Sequence, residues 1–373
     1  MSDFNVMSKA LLITAVLALP LQAQTRVVVP HTVLHAAEKT AGAAPLDLAA
    51  EVRLLGGLDT TSDRARMLHN AWMAGSWRRF ARQRREPMRR WARTNVPRLA
   101  PSTPVLYPFG GVDLPSALAL YPDQQRYVLI GLEPVGLTPA WSSLPTDTLG
   151  NELARVREAA RTLLSVGFLR TNDMAAALTR IGAIPVLLAL LAREEAQVLR
   201  VTAGGIAPDG SFEEGRRARP GAGAGVRIEF RLPRDATTRS LEYLSLDLSN
   251  GGLRQTGLLT HLGTFGESAC MTKAATYLMH KPYFATVRQA LLRQCTILVQ
   301  DDSGIPVRYL VEAGRRLQVH GSYSAPIPMF KEWLQPELQQ LARTAKPLPF
   351  GWGYRWLPTE STLLIATRSA ALR

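Results

Sequence analysis

Apolar and polar positions change period several times along the chain. Over residues 46–98, Leu54, Leu55 and Leu58, then Met67, Leu68, Ala71 and Trp72, recur at helical spacing, and that period predicts helices. Pro97, Pro101 and Pro104 close this segment. Beyond it, short apolar runs alternate with longer amphipathic stretches. PVLYPF (104–109) and RYVLIGLEP (126–134) predict strands. DLPSALALY (113–121) between them predicts a helix, with Asp113 as N-cap and Pro115 in the first turn. Helices follow over 149–166 and 173–193, the second interrupted near Gly182 and Pro185. VLRVTAGGI, the alternating VRIEFRL (226–232) and LEYLSLDLSN (241–250) predict strands. ESACMTKAATYLMH (267–280) leads towards a helix over 282–294, and TILVQDD (296–302) is a further strand. VRYLVEA, RLQVHGSY and TLLIATR predict a β-rich end.

Strands alternating with helices of ten or more residues indicate βαβ units. YVLIGL and TILV are continuous apolar runs, as expected of strands buried on both faces. The expected fold is α/β: a mainly parallel, Rossmann-like sheet flanked by helices. The expected organisation is a signal peptide over 1–23, a basic helical extension over 24–100, and an α/β domain over 101–373. The Gly-, Ala- and Pro-rich stretch 203–225 reads as a flexible insert or a long hairpin tip.

The signal peptide rests on a short positive segment at Met7-Ser8-Lys9, an apolar run from Ala10 to Leu21, and the small residue Ala23. The run is too short to span a bilayer, and no later segment is long and apolar enough. Export to the periplasm or beyond follows, with no transmembrane helix in the mature chain. Net charge is +14, and part of it is local. SWRRFARQRREPMRRWARTNVPR (76–98) holds nine arginines and one glutamate. Arginines among aromatics suggest nucleic acid, but export removes that partner. The functional expectation is an anionic envelope surface or glycan met through Arg78–Arg93. The plainer reading is a solvated basic helix that packs its tryptophans on the body. The absence of CxxC and the scattered histidines argue against zinc. Cys270 and Cys295 read either as a disulfide or as two buried thiols.

In a doubly wound sheet, ligands sit beyond the carboxyl ends of the strands. Asp113, Glu133, Asp247 and the pair Asp301-Asp302 all fall at such ends. Three readings compete. In the first, Gly110 and Gly111 admit a nucleotide or S-adenosylmethionine, Asp113 lies beside them, and Glu133 takes a ribose hydroxyl. The methyltransferase version of this layout also places an acid at the end of its second strand. Cofactor scarcity outside the cytoplasm stands against it. In the second, Asp113, Asp247, Asp301 and Asp302 hold Ca²⁺ or Mg²⁺ and support hydrolysis. Alternatively Asp301, Asp302, Asp247 and Lys273 divide acid and base roles. Ser303, His280 and Asp301 form a conceivable triad, although DDSGIP lacks the GxSxG elbow. In the third, each acid is structural: an N-cap at Asp113, an Asx turn at Asp247, turn formers in Asp-Asp-Ser-Gly. His261 and His320 read as satisfied side chains. PLPFGWGYRW (347–356) reads as core packing, or as the lining of a sugar or apolar groove.

YPFGGVD, YVLIGLEPVG, TKAATYLMH, ILVQDDSGIP, GSYSAPIPMF and LPFGWGYRW together resemble a family of uncharacterised exported bacterial proteins, over roughly residues 100–366. The resemblance implies export and a single α/β body. It implies no activity and no catalytic residue. Gly110-Gly111-Val112 stands where the family pattern has Ser-Gly-Pro, so a hydroxyl at position 110 is absent.

Overall fold

The computed structural model describes residues 47–136, 140–167, 178–219, 221–233 and 235–368. All of them belong to one compact unit, Leu46–Arg373. The expected signal peptide and residues 24–46 lie outside the described residues.

One ten-stranded sheet organises the unit, in the order β4-β3-β5-β6-β2-β1-β7-β8-β10-β9. The strands are β1 (Val105–Tyr107), β2 (Arg126–Gly131), β3 (Gln197–Ile206), β4 (Phe212–Glu214), β5 (Ala222–Arg231), β6 (Arg239–Leu246), β7 (Ser268–Thr272), β8 (Cys295–Gln300), β9 (Arg315–Gly321) and β10 (Thr362–Arg368). The central five, β6-β2-β1-β7-β8, are parallel. β3, β4 and β5 on one flank and β10 and β9 on the other join through antiparallel pairings. The sheet is therefore mixed rather than mainly parallel. The stretch 203–225, expected as a flexible insert or a long hairpin tip, joins β3 to β5 at the end of a long antiparallel ribbon, with β4 paired on its edge.

Strand direction fixes where chemistry can occur. The chain leaves β1 for β2 and β6 on one side, then returns to β7 and β8 on the other. Two crossovers thus diverge from the seam between β1 and β7, which opens a crevice at the carboxyl ends of those strands.

Alternate side chains along each strand enter different cores. Val105 and Tyr107 join one cluster and Leu106 the other. The first face is covered by α1 (Leu48–Leu55), α2 (Arg64–Phe80), α3 (Glu86–Asn95), α4 (Leu114–Leu120), α5 (Thr146–Val166) and α6 (Ala183–Arg193). Side chains from α7 (Asn250–Leu253), α8 (Leu258–Gly263), α9 (Ala285–Gln294), α10 (Val307–Glu312) and α11 (Pro336–Ala342) cover the second. The basic segment is thus no appended extension from residue 47 onward. Val52, Leu54, Met73, Phe80, Met88 and Trp91 are core residues of the first layer.

Two elements differ from the sequence expectation. SACMT within 267–280 is the central strand β7. Five small or sulfur-bearing residues give little β signal, and flanking strands decide the conformation. VRYLVEA is helix α10, started after Pro306 and stopped before Gly314, with Val307 and Leu310 buried on one face.

Candidate functional site

Three segments meet at the β1/β7 crevice. Asp113 follows β1 and caps α4, accepting from the Ser116 backbone N–H at 3.4 Å. Lys273 follows β7, and Asp301 and Asp302 follow β8. Lys273 Nζ makes an ion pair with Asp113 Oδ2 and donates to Ser116 Oγ at 2.7 Å. The Tyr107 hydroxyl donates to the same Asp113 oxygen at 2.8 Å. Asp113, Asp301 and Lys273 are 1%, 2% and 4% exposed. Burial lowers the Lys273 ammonium's pKa, and the charge of Asp113 opposes that shift. The indole of Trp352 lies over Nζ at 5.1 Å. Lys273 beside Ser116 has the composition of a nucleophile and its base. Yet Asp113 shares the ammonium and Trp352 lies over it, so the group is a buried ion pair closing the seam.

Asp301 serves the backbone. Its Oδ2 accepts from Ala274 N–H at 2.9 Å, and its Oδ1 accepts from Ser303 N–H at 3.1 Å and Ser303 Oγ at 2.5 Å. Ser303 Oγ in turn accepts from Ala275 N–H at 2.7 Å, and Tyr354 OH accepts from Thr276 N–H at 2.9 Å. These bonds hold Ala274, Thr276 and Tyr277 at φ of 52°, 54° and 51°, a strained region for side-chain-bearing residues. Gly353 completes the clasp. Its φ is +66°, and an added Cβ would lie 2.1 Å from Asp301 Oδ2. Two acids after an apolar strand therefore have separate uses: Asp301 fastens the loop that carries Lys273 and Tyr277.

Asp302 faces a different setting. It is only half-buried, and the buried Tyr277 donates its hydroxyl to Oδ2. Tyr277 stacks parallel to Tyr354 with centroids 6.3 Å apart and meets Phe330 at 4.8 Å. His280 lies edge-on to Tyr277 at 5.1 Å and to Trp333 at 5.4 Å. Burial, and then the charge of Asp301, push the Asp302 carboxyl up to about 7. Burial takes His280 down to about 4, so its ring is neutral at ordinary pH, and its Nε2 has no partner among the described residues. The arrangement is a partly open carboxyl group, titrating near neutrality, walled by aromatic rings.

The remaining sequence candidates fall elsewhere. Asp247 closes an Asx turn on Ser249, at 2.8 Å to the N–H and 2.9 Å to the hydroxyl. It follows β6, four strands from β8 and so about 19 Å along the edge. The expected four-aspartate metal site is not assembled: among the described residues no three Asp, Glu, His or Cys side chains gather to hold an ion. The triad is not assembled either, because Ser303 is spent on Asp301 and Ala275 while His280 packs between rings. Glu133 lies at the expected strand end, but its Oε2 folds back over Gly131 and accepts from Tyr243 OH at 3.0 Å. At Gly110 an added Cβ would lie 2.5 Å from the Tyr107 ring, so a serine there has no room. Cys270 and Cys295 are free and buried. His261 is satisfied, bonded to Glu242 and to the Gly210 carbonyl, each at 2.8 Å.

Sequence reasoning missed Ser116, Tyr107, Tyr277 and Tyr354. Only Tyr354 lay in a stretch, 347–356, that its aromatic content had marked. Compared with family models, curated proteins and solved structures, the chain matches none.

Proposed function

We propose that the protein is an exported, Rossmann-like hydrolase of an envelope component, with Asp302 as its acid–base group. One observation carries this reading: the carboxyl group of a half-buried aspartate, held near pKa 7 and bonded to Tyr277 within an aromatic cluster, at the carboxyl edge of the parallel strands. A group that is half protonated at the working pH is the most effective proton exchanger. The Tyr354 and Phe330 rings packed on Tyr277, with the Trp333 ring on His280, supply flat apolar surface near it, suited to a sugar ring or an apolar acyl group. Asp301 acts as a positioning residue, since its charge raises Asp302 and its hydrogen bonds fix the Tyr277 loop. The metal-assisted version finds no support in the placement of Asp247.

The test is a panel of chromogenic esters and glycosides assayed from pH 5 to 9, with wild type and Asp302→Asn. A cleaved substrate should give a rate with an inflection near pH 7 that the asparagine variant abolishes. Binding without turnover, still dependent on Asp302, would recast the site as that of an envelope-associated binding protein. No response to any member from either protein would remove the reading.

A second reading is favoured by strand order. The run β6-β2-β1-β7-β8 places the first strand centrally as in doubly wound nucleotide-binding sheets, and a reversed β10 between β8 and β9 is the layout of the methyltransferase version. Gly110, Gly111 and Glu133 stand at the matching strand ends. The engagement of Glu133 by Tyr243 and the Lys273–Asp113 pair in the crevice weigh against it. Titration with S-adenosylmethionine decides: a saturable rise in melting temperature, lost in Glu133→Ala, would favour this reading over hydrolysis.

A further inference from the structure

The outward face of α2 carries two kinds of exposed residue in one line. Met67 and Leu68 are 53% and 59% exposed, and Ala71 follows one turn on. Arg78, Arg79 and Arg82, all exposed, continue the same line at helical spacing. These three arginines and Gly75 line an open groove of about 460 Å³. None of the three has an ion-pair partner among the described residues.

The neighbouring arginines explain why these three are left over. A π-helical turn, Ala81–Arg85, follows α2 and shifts the helix face by a residue. It turns Arg84 inward, where it donates to the Gly351 carbonyl at 3.0 Å and the Trp356 carbonyl at 3.4 Å. Arg85 pairs with the buried Glu194 and lies over the Trp77 ring at 5.9 Å. The inward guanidiniums are consumed by the fold. The outward ones are not.

We propose that this face of α2 docks on an anionic phospholipid surface. Guanidiniums alone would suit any polyanion. A scattered exposed Leu or Met is also ordinary. Their alignment on one helix face is what selects the partner. An acidic glycan or a nucleic acid offers nothing to two large apolar side chains. A bilayer interface takes them into its acyl boundary while its phosphates meet the arginines. The inference is independent of the Asp302 reading.

The test is sedimentation of the full chain with phosphatidylcholine vesicles and with vesicles also containing phosphatidylglycerol, at low and high salt. The chain should bind the anionic vesicles and release as salt rises. Replacing the three arginines together (Arg78→Gln, Arg79→Gln, Arg82→Gln) should weaken binding about a hundred-fold. Replacing Met67→Ser with Leu68→Ser should weaken it about ten-fold, by the same factor at each salt concentration where the parent still binds. All five positions are solvent-exposed, so both variants should melt with the parent. The proposal is overturned if the arginine variant binds anionic vesicles as tightly as the parent. It is equally overturned if the apolar pair has no effect, or if the parent binds heparin or DNA and ignores vesicles.

Discussion

Replacing Asp302 with asparagine tests the reasoning behind the candidate site without knowledge of a substrate. Asparagine has the shape of the protonated carboxyl group and can still accept from Tyr277. The native carboxyl titrates at about 7 against an ordinary 3.8. A raised folded-state pKa stabilises the native state below the unfolded pKa, and that contribution is lost as pH rises through about 7. The gap corresponds to about 4 kcal/mol at full expression. Asp302 is half-buried and shares its field with Asp301, so a change of about 1–3 kcal/mol is the expected outcome. Wild type and Asp302→Asn should unfold alike in urea at pH 4. Between about pH 4 and 7 the wild type should lose stability relative to the variant, with the gap levelling above about pH 7. Parallel curves over the whole range would mean that Asp302 ionises as an ordinary surface acid, and the acid–base proposal would lose its physical basis.

Other substitutions address the frame around it. Lys273→Met leaves Asp113 buried without its cation and should cost about 3–5 kcal/mol; adding Asp113→Asn, which keeps a capping oxygen, should recover much of that loss in the same melts. Gly353→Ala puts a Cβ against Asp301 at a φ of +66° and should destabilise by at least about 1–2 kcal/mol, read as a lowered melting temperature. A thiol reagent should find neither cysteine in the native protein and both after unfolding in guanidinium without reductant, since both are free and buried; silence after unfolding would reveal a disulfide. Glu242 is 1% exposed and bonds both His261 and Arg227, so Glu242→Leu should leave the Arg227 guanidinium and the His261 ring without their acceptor and cost about 3 kcal/mol or more in urea unfolding.

Local patterns carried much of the architecture. The alternation of VRIEFRL and the apolar runs of β2 and β8 are strands because side-chain period and burial agree within a few residues. Asp113 was legible as a cap because capping is decided within one helical turn. The acids at strand ends were legible for the same reason. What those acids do was not. Strand order, the mixed pairing and the seam between β1 and β7 depend on contacts between distant segments. β7 is a strand because β1 and β8 flank it, not because SACMT prefers to be one. Arg84 reaches a carbonyl 267 positions away, and Lys273 finds Asp113 only because their strands are neighbours. The split between Asp301 and Asp302 is likewise tertiary. Adjacent in sequence and identical in chemistry, they differ because one is clasped by backbone N–H groups and the other faces aromatic rings. Hydrophobic period is a property of the chain, whereas desolvation and the charge of a neighbour exist only once the chain has folded.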